Sequence, residues 1–177
     1  MKLPKNISLY ITGATIFILM KIAYRQAETN DLTFLLSPTS QLVGIVTGSK
    51  PVHQAESGYY FESLHIFIDK SCSGFNFWAL SFFLFLYLAV KHFNKISNKI
   101  LSIPIALITA YLLTVLVNSS RIFVSIIVQS RTKNIITTQQ HLLHEGIGII
   151  TNLTFLILTY IIIEKTLTHK RPNAKLT

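Results

Sequence analysis

Three side chains in this sequence have the makings of a nucleophilic site: a thiol, a guanidinium and an imidazole. Cys72 is the one cysteine of the chain and stands in SCSGFNF (71–77), at the start of a long apolar run. Arg121 closes NSSR (118–121), just after another apolar run, and His144 opens HEGIG (144–148), just before a third. The thiolate, not the thiol, attacks a carbonyl, and a helix start or a nearby cation favours that anion. Cys72 is expected in the first turn of its helix, with Ser71 as N-cap, Ser73 beside it and Gly74 allowing a substrate backbone to approach. A helix start disfavours imidazolium, so a neutral His144 is suited to taking and delivering a proton. Arg121 is always charged and presents several donors, suited to a thiolate, a carbonyl or a developing oxyanion.

Each residue also has a plainer reading. A lone cysteine packs like any small apolar side chain, an arginine at a helix end reaches to the membrane interface, and a histidine sits well there too. The position of Cys72 argues against plain packing. On an oxidising side of a membrane, with no partner for a disulfide, an unpaired thiol is a liability unless it is used or buried. Asn118, one turn before Arg121, either orients it or caps the helix end. His141 shares a helical face with His144 if that turn is helical, but HLLHE is not a metal motif, since HExxH needs a histidine where Gly148 stands. No metal and no cofactor is expected.

The elements that must carry these residues are membrane spans. Half of the 177 residues are hydrophobic, and they fall in blocks near the roughly 20 residues that cross a bilayer. Four spans are expected, at about 7–24, 74–90, 100–117 and 146–163, within a single membrane domain covering 1–177. The first block resembles a signal peptide, but its cleavage signal is weak and it is read as a retained span. Basic residues mark the cytoplasmic side. They cluster at Lys2 and Lys5, in the loop with Lys91, Lys95 and Lys99, and in the tail with Lys165, Lys170, Arg171 and Lys175. The chain is therefore expected in the cytoplasmic (inner) membrane with both termini on the cytoplasmic side. The segments 25–73 and 118–145 then lie outside and hold all the acidic residues except Glu164. The net charge of +9 follows from this topology and calls for no nucleic-acid partner. Under it Cys72, Arg121 and His144 share one membrane depth on the extracytoplasmic side.

Between the spans, FLLSPTSQLVGIVTG (34–48) is expected as an interfacial or partly inserted helix interrupted by Pro38. Residues 51–70, rich in tyrosine, phenylalanine and isoleucine around Ser57-Gly58, read as a β-hairpin. RIFVSIIVQ (121–129) is too short to span and is expected as a separate interfacial helix. The fold class is thus an all-α integral membrane bundle of about four transmembrane helices, with a small extracytoplasmic β-hairpin and short interfacial helices.

The ordered set CSG (72–74), NSSR (118–121) and HEGIG (144–148), each at an outer membrane end, resembles the exosortase/archaeosortase family over roughly residues 32–163. Many members have more spans, so the chain looks like a short subtype, exosortase K-like or type F-like. The resemblance implies a membrane-embedded cysteine transpeptidase. Its substrates would be exported proteins with a C-terminal sorting signal (a short motif, a transmembrane helix and a basic end), transferred after cleavage to an unidentified surface acceptor. It implies Cys72 as nucleophile, Arg121 as stabiliser and His144 as acid/base. Gly146 and Gly148 then either receive the substrate helix or permit tight packing within the bundle. Two other classes predict different residue rankings. A non-enzymatic assembly or transporter-accessory protein docking through the hairpin tolerates loss of Cys72. A lipid-linked transferase gripping phosphate with Arg121 needs the arginine and not the thiol.

Overall fold

The structure, a computed structural model, describes the backbone of residues 6–131 and 137–169, and the side chains of 6–128 and 145–168. Its element order is α1 (Ile7–Gln26), α2 (Thr33–Thr47), β1 (Val52–Gln54), β2 (Gly58–Phe61), β3 (Ile66–Ile68), α3 (Phe75–His92), α4 (Ile96–Arg131) and α5 (Thr137–His169). Four helices, α1, α3, α4 and α5, are long and apolar enough to cross a bilayer. Their outward faces carry unbroken apolar surface, such as Ile11, Ile18 and Ile22 on α1 and Ile149, Leu153, Ile157 and Ile161 on α5. Water does not tolerate belts of that extent, whereas lipid is their natural solvent. The chain is a membrane-embedded, multi-pass protein.

Helix α3 is the centre of the bundle. It packs most extensively on α4, then on α1 and α5, and buries Phe77, Phe82, Phe85 and Leu86 among others. Gly13 lets α1 lie close, because a Cβ there would collide with Leu86 of α3. Tyr24, near the end of α1, stacks on Phe75 at the start of α3 with ring centroids 4.7 Å apart. The first block is thus a packed member of the bundle. At the far end of α3, Lys91 pairs with Glu164 of α5 at 2.7 Å.

Proline shapes the contact between α2 and α4. Pro38 lies inside α2 and has no N–H for the carbonyl four residues back, at Phe34. Tyr111 of α4 supplies the missing donor, its hydroxyl donating to Phe34 O at 2.8 Å. The helix break is thereby converted into an inter-helix bond.

Two expectations are corrected. The hairpin is a three-stranded antiparallel sheet in the order β1-β2-β3, with Val52 opposite Tyr60 and Tyr59 opposite Ile68. The run from Tyr60 to Ile68 is not one strand. Residues Glu62–Leu64 form a 3₁₀ turn and His65 takes a left-handed conformation, φ 52°. Reversal there brings both Phe61 and Ile68 into the core beneath the sheet. A continuous strand at about 3.3 Å per residue would carry them apart by roughly 23 Å.

The second correction concerns RIFVSIIVQ, which continues α4 and is not a separate helix. NSSR does not stop the helix because its hydroxyls bond back into it. Ser119 Oγ donates to Val115 O at 2.7 Å and Ser120 Oγ to Leu116 O at 2.9 Å. At 36 residues, α4 is about 54 Å long and exceeds the roughly 30 Å hydrocarbon core. Its last turns therefore stand beside the sheet. Helix α5 likewise begins at Thr137, well before Gly146.

Candidate functional site

Cys72 lies at the junction of sheet and bundle, not in the first turn of α3. It ends a short 3₁₀ turn, Lys70–Cys72, whose cap is Asp69 and not Ser71. The Asp69 carboxylate accepts from Ser71 N at 2.9 Å and from Ser71 Oγ at 2.6 Å. Cys72 N donates to Asp69 O at 3.0 Å. Asp69 holds this turn because its oxygen is one bond shorter in reach than a glutamate's and matches the N–H two residues on. Ser73 is buried, and its Oγ accepts from Phe75 N at 3.4 Å, so it helps start α3.

Gly74 separates the turn from α3 in a left-handed conformation, φ 71°. A Cβ there would lie 2.9 Å from Asn118 Cγ and 3.1 Å from Thr114 Cγ2. The space expected for a substrate backbone is thus taken by α4 itself. This close approach lets Asn118 reach the turn, where its Nδ2 donates to Cys72 O at 2.5 Å. Asn118 thereby orients the cysteine's backbone.

On the other side, α1 clamps the same turn. Lys70 Nζ donates to Ala27 O at 2.6 Å and sits 5.1 Å from the Tyr24 ring centroid, while Tyr24 OH donates to Lys70 O at 3.3 Å. Lys21 Nζ reaches Asn76 Oδ1 at 2.7 Å. Reasoning from sequence missed Tyr24, Lys70 and Lys21. The signal was an amphipathic trio bracketing the sheet-side end of two spans, where aromatic and basic side chains anchor.

The Cys72 side chain is buried, with 8% of its surface exposed, and belongs to the core cluster with Phe61, Ile68, Phe75 and Ile122. It also lines a cleft of ≈ 280 Å³ bounded by β3, by Asp69 and Ser71, and by Ile122, Ser125 and Ile126 of α4. The thiol is sheltered but not sealed.

Arg121 follows Asn118 by three positions on the same face of α4, a spacing that makes helix neighbours. Its side chain runs toward α5, where a Cβ added to Gly148 would meet Arg121 Nη1 at 3.4 Å and Cδ at 3.5 Å. Such separations are ordinary van der Waals contact, so the guanidinium lies against α5 at Gly148, while Gly146 meets nothing among the described residues. Among the described residues, Arg121 Nε and Nη2 and Asn118 Oδ1 are buried without a hydrogen-bond partner. Buried orphans of this kind are rare and costly, at about 1–3 kcal/mol each and more for charged groups.

The side chains of His141 and His144 lie outside the described residues. Position 144 is helical and one turn before Gly148 on α5, the spacing that puts two positions on one helix face. The structure thus unites Cys72, Ser73, Gly74 and Asn118 around one turn, and places Arg121 against α5 at Gly148.

Residues 9–161 match the family model described as Transmembrane exosortase (Exosortase_EpsH). No curated protein and no solved structure matches the chain. The match spans most of the chain, including the Cys72 turn, Asn118, Arg121 and α5 as far as Ile161, and this membrane protein belongs to the transmembrane exosortase family.

Proposed function

We propose that the chain is a cysteine transpeptidase acting on exported proteins that carry a C-terminal sorting signal. The observation that supports this reading is the Arg121 guanidinium, whose Nε and Nη2 are buried without a hydrogen-bond partner among the described residues, three positions along α4 from the Asn118 that holds the Cys72 carbonyl. A preorganised site keeps such donors for charge that develops during reaction.

The Cys72 thiol gives its proton to His144, and the thiolate adds to the scissile carbonyl, forming a C–S bond and a tetrahedral oxyanion that Arg121 stabilises. Collapse of this intermediate breaks the C–N bond, and the leaving amine takes a proton from His144. An acceptor nucleophile then gives its proton to His144, attacks the thioester and releases the thiolate. Asn118 positions the nucleophile through its backbone, and Ser73 and Gly74 set the turn. His141 is a supporting residue on the same helix. The lysine-rich ends support a topology with both termini cytoplasmic in the inner membrane and with the sheet and Cys72 on the extracytoplasmic side. The substrate's tail helix approaches from the lipid.

The test compares cells carrying the native chain, Cys72→Ser, Arg121→Ala and His144→Ala, with immunoblots of tail-bearing surface proteins and membrane levels of each variant. Precursors are expected to accumulate in all three at normal enzyme levels. Unchanged processing in Cys72→Ser refutes the reading.

A further inference from the structure

Among the described residues, the sheet offers an unpaired edge beside the thiol. In the order β1-β2-β3, strand β3 is terminal. The Ile68 carbonyl points toward Gly58 of β2, where it would collide with an added Cβ. Successive residues of a strand direct their N–H and C=O to alternate sides, so those of Phe67 point away from β2. No hydrogen bond among the described residues reaches the Phe67 backbone from beyond the sheet. That edge borders the cleft that ends at Ser71 and Cys72. Opposite it stand Ile122 and Ile126, one turn apart on α4. Among the described residues, Asp69 is the one charged residue lining the cleft, and its Oδ1 is engaged by Ser71.

We propose that an extended segment of the substrate polypeptide docks here as a fourth strand. This rests on the transpeptidase reading above and adds to it how substrate is held. The N–H and C=O of Phe67 pair with the substrate backbone. An uncharged apolar side chain packs toward Ile122 and Ile126, and the strand delivers the following carbonyl to Cys72. Strand addition draws affinity from main-chain bonds and selectivity from alternate side chains. The edge is short, about 10 Å for three residues, so recognition covers only two or three substrate residues and matches a short motif.

Phe67→Pro removes the outward N–H and leaves the β2 ladder intact, since proline is tolerated on a free strand edge. Phe67→Ala is its control. In cells at equal membrane levels, Phe67→Pro is expected to slow precursor processing by about tenfold, the effect of roughly one hydrogen bond, and Phe67→Ala by less than about threefold. A second measurement leaves the protein unaltered. Membranes containing the full chain are treated with acetyl-Val-Val-Val-Ala chloromethyl ketone, from which the Cys72 thiolate displaces chloride, and with singly N-methylated versions. Labelling of Cys72, read by mass spectrometry, is expected to fall for N-methylation at alternate residues only. Equal processing by Phe67→Pro and Phe67→Ala, or labelling indifferent to N-methylation, overturns the docking proposal. If Cys72→Ser is then still inactive, the transpeptidase reading survives that failure. Normal processing by Cys72→Ser removes both.

Discussion

Replacing Gly74 with alanine tests whether α4 holds the cysteine turn. The residue has φ 71°, a region where an L side chain costs about 1–2 kcal/mol. The new Cβ would lie 2.9 Å from Asn118 Cγ and 3.2 Å from Asn118 Cβ, against an optimal carbon separation of about 3.5–4.0 Å. Asn118 is 2% exposed and cannot turn aside without giving up its bond to Cys72 O. Overpacking of such a site adds about 1–3 kcal/mol. The expected loss is therefore roughly 2–5 kcal/mol. The assay is unfolding of the detergent-solubilised protein by titration with a denaturing surfactant, with Gly146→Ala as control. Gly146 is helical and a Cβ there meets nothing within 4 Å among the described residues, so that variant is expected to be neutral or gain up to about 1 kcal/mol. Processing per folded Gly74→Ala molecule is expected to fall as well, because Cys72 is two residues away. A Gly74→Ala stability within about 0.5 kcal/mol of the native chain would refute the claimed close approach of α3 and α4. Loss of stability with undiminished processing would instead show that this packing does not position the thiol.

Two further predictions follow from the same geometry. Asn118→Ala leaves the Cys72 carbonyl without its donor and is expected to cost about 1–3 kcal/mol. Asn118→Asp, which places a second acceptor there, is expected to cost more, and equal stabilities in the same surfactant titration would contradict the assigned bond. Tyr111→Phe strips the donor from Phe34 O, which has no replacement in lipid, whereas in a Pro38→Ala background the new N–H at 38 takes over. A double-mutant cycle on unfolding free energy is expected to give a coupling of about 0.5–1.5 kcal/mol, and simple additivity would dissociate Tyr111 from the proline.

Much of the fold was legible because lipid makes one demand above others: runs of apolar residues long enough to cross it. The four spans, the short helix carrying Pro38, the β character of 51–70 and the order CSG, NSSR, HEGIG all follow from local composition and spacing in the chain. Local pattern erred where two structures share a period. Alternation from Tyr60 to Ile68 fits one strand or two, and only the need to bury both Phe61 and Ile68 selects the reversal. RIFVSIIVQ was too short to span alone, yet nothing in NSSR breaks a helix once its hydroxyls bond backward. Ser71 had the type of an N-cap, but Asp69 had the reach. Tertiary structure decided what each polar residue near the thiol does. Whether Gly74 receives a substrate or a helix, whether Asn118 serves Arg121 or Cys72, and which helix Arg121 lies against depend on atoms brought together from different spans. Sequence determines which residues enter the membrane and roughly where, since burial in lipid is a property of each segment. The pairing of their polar groups is a property of the packed bundle.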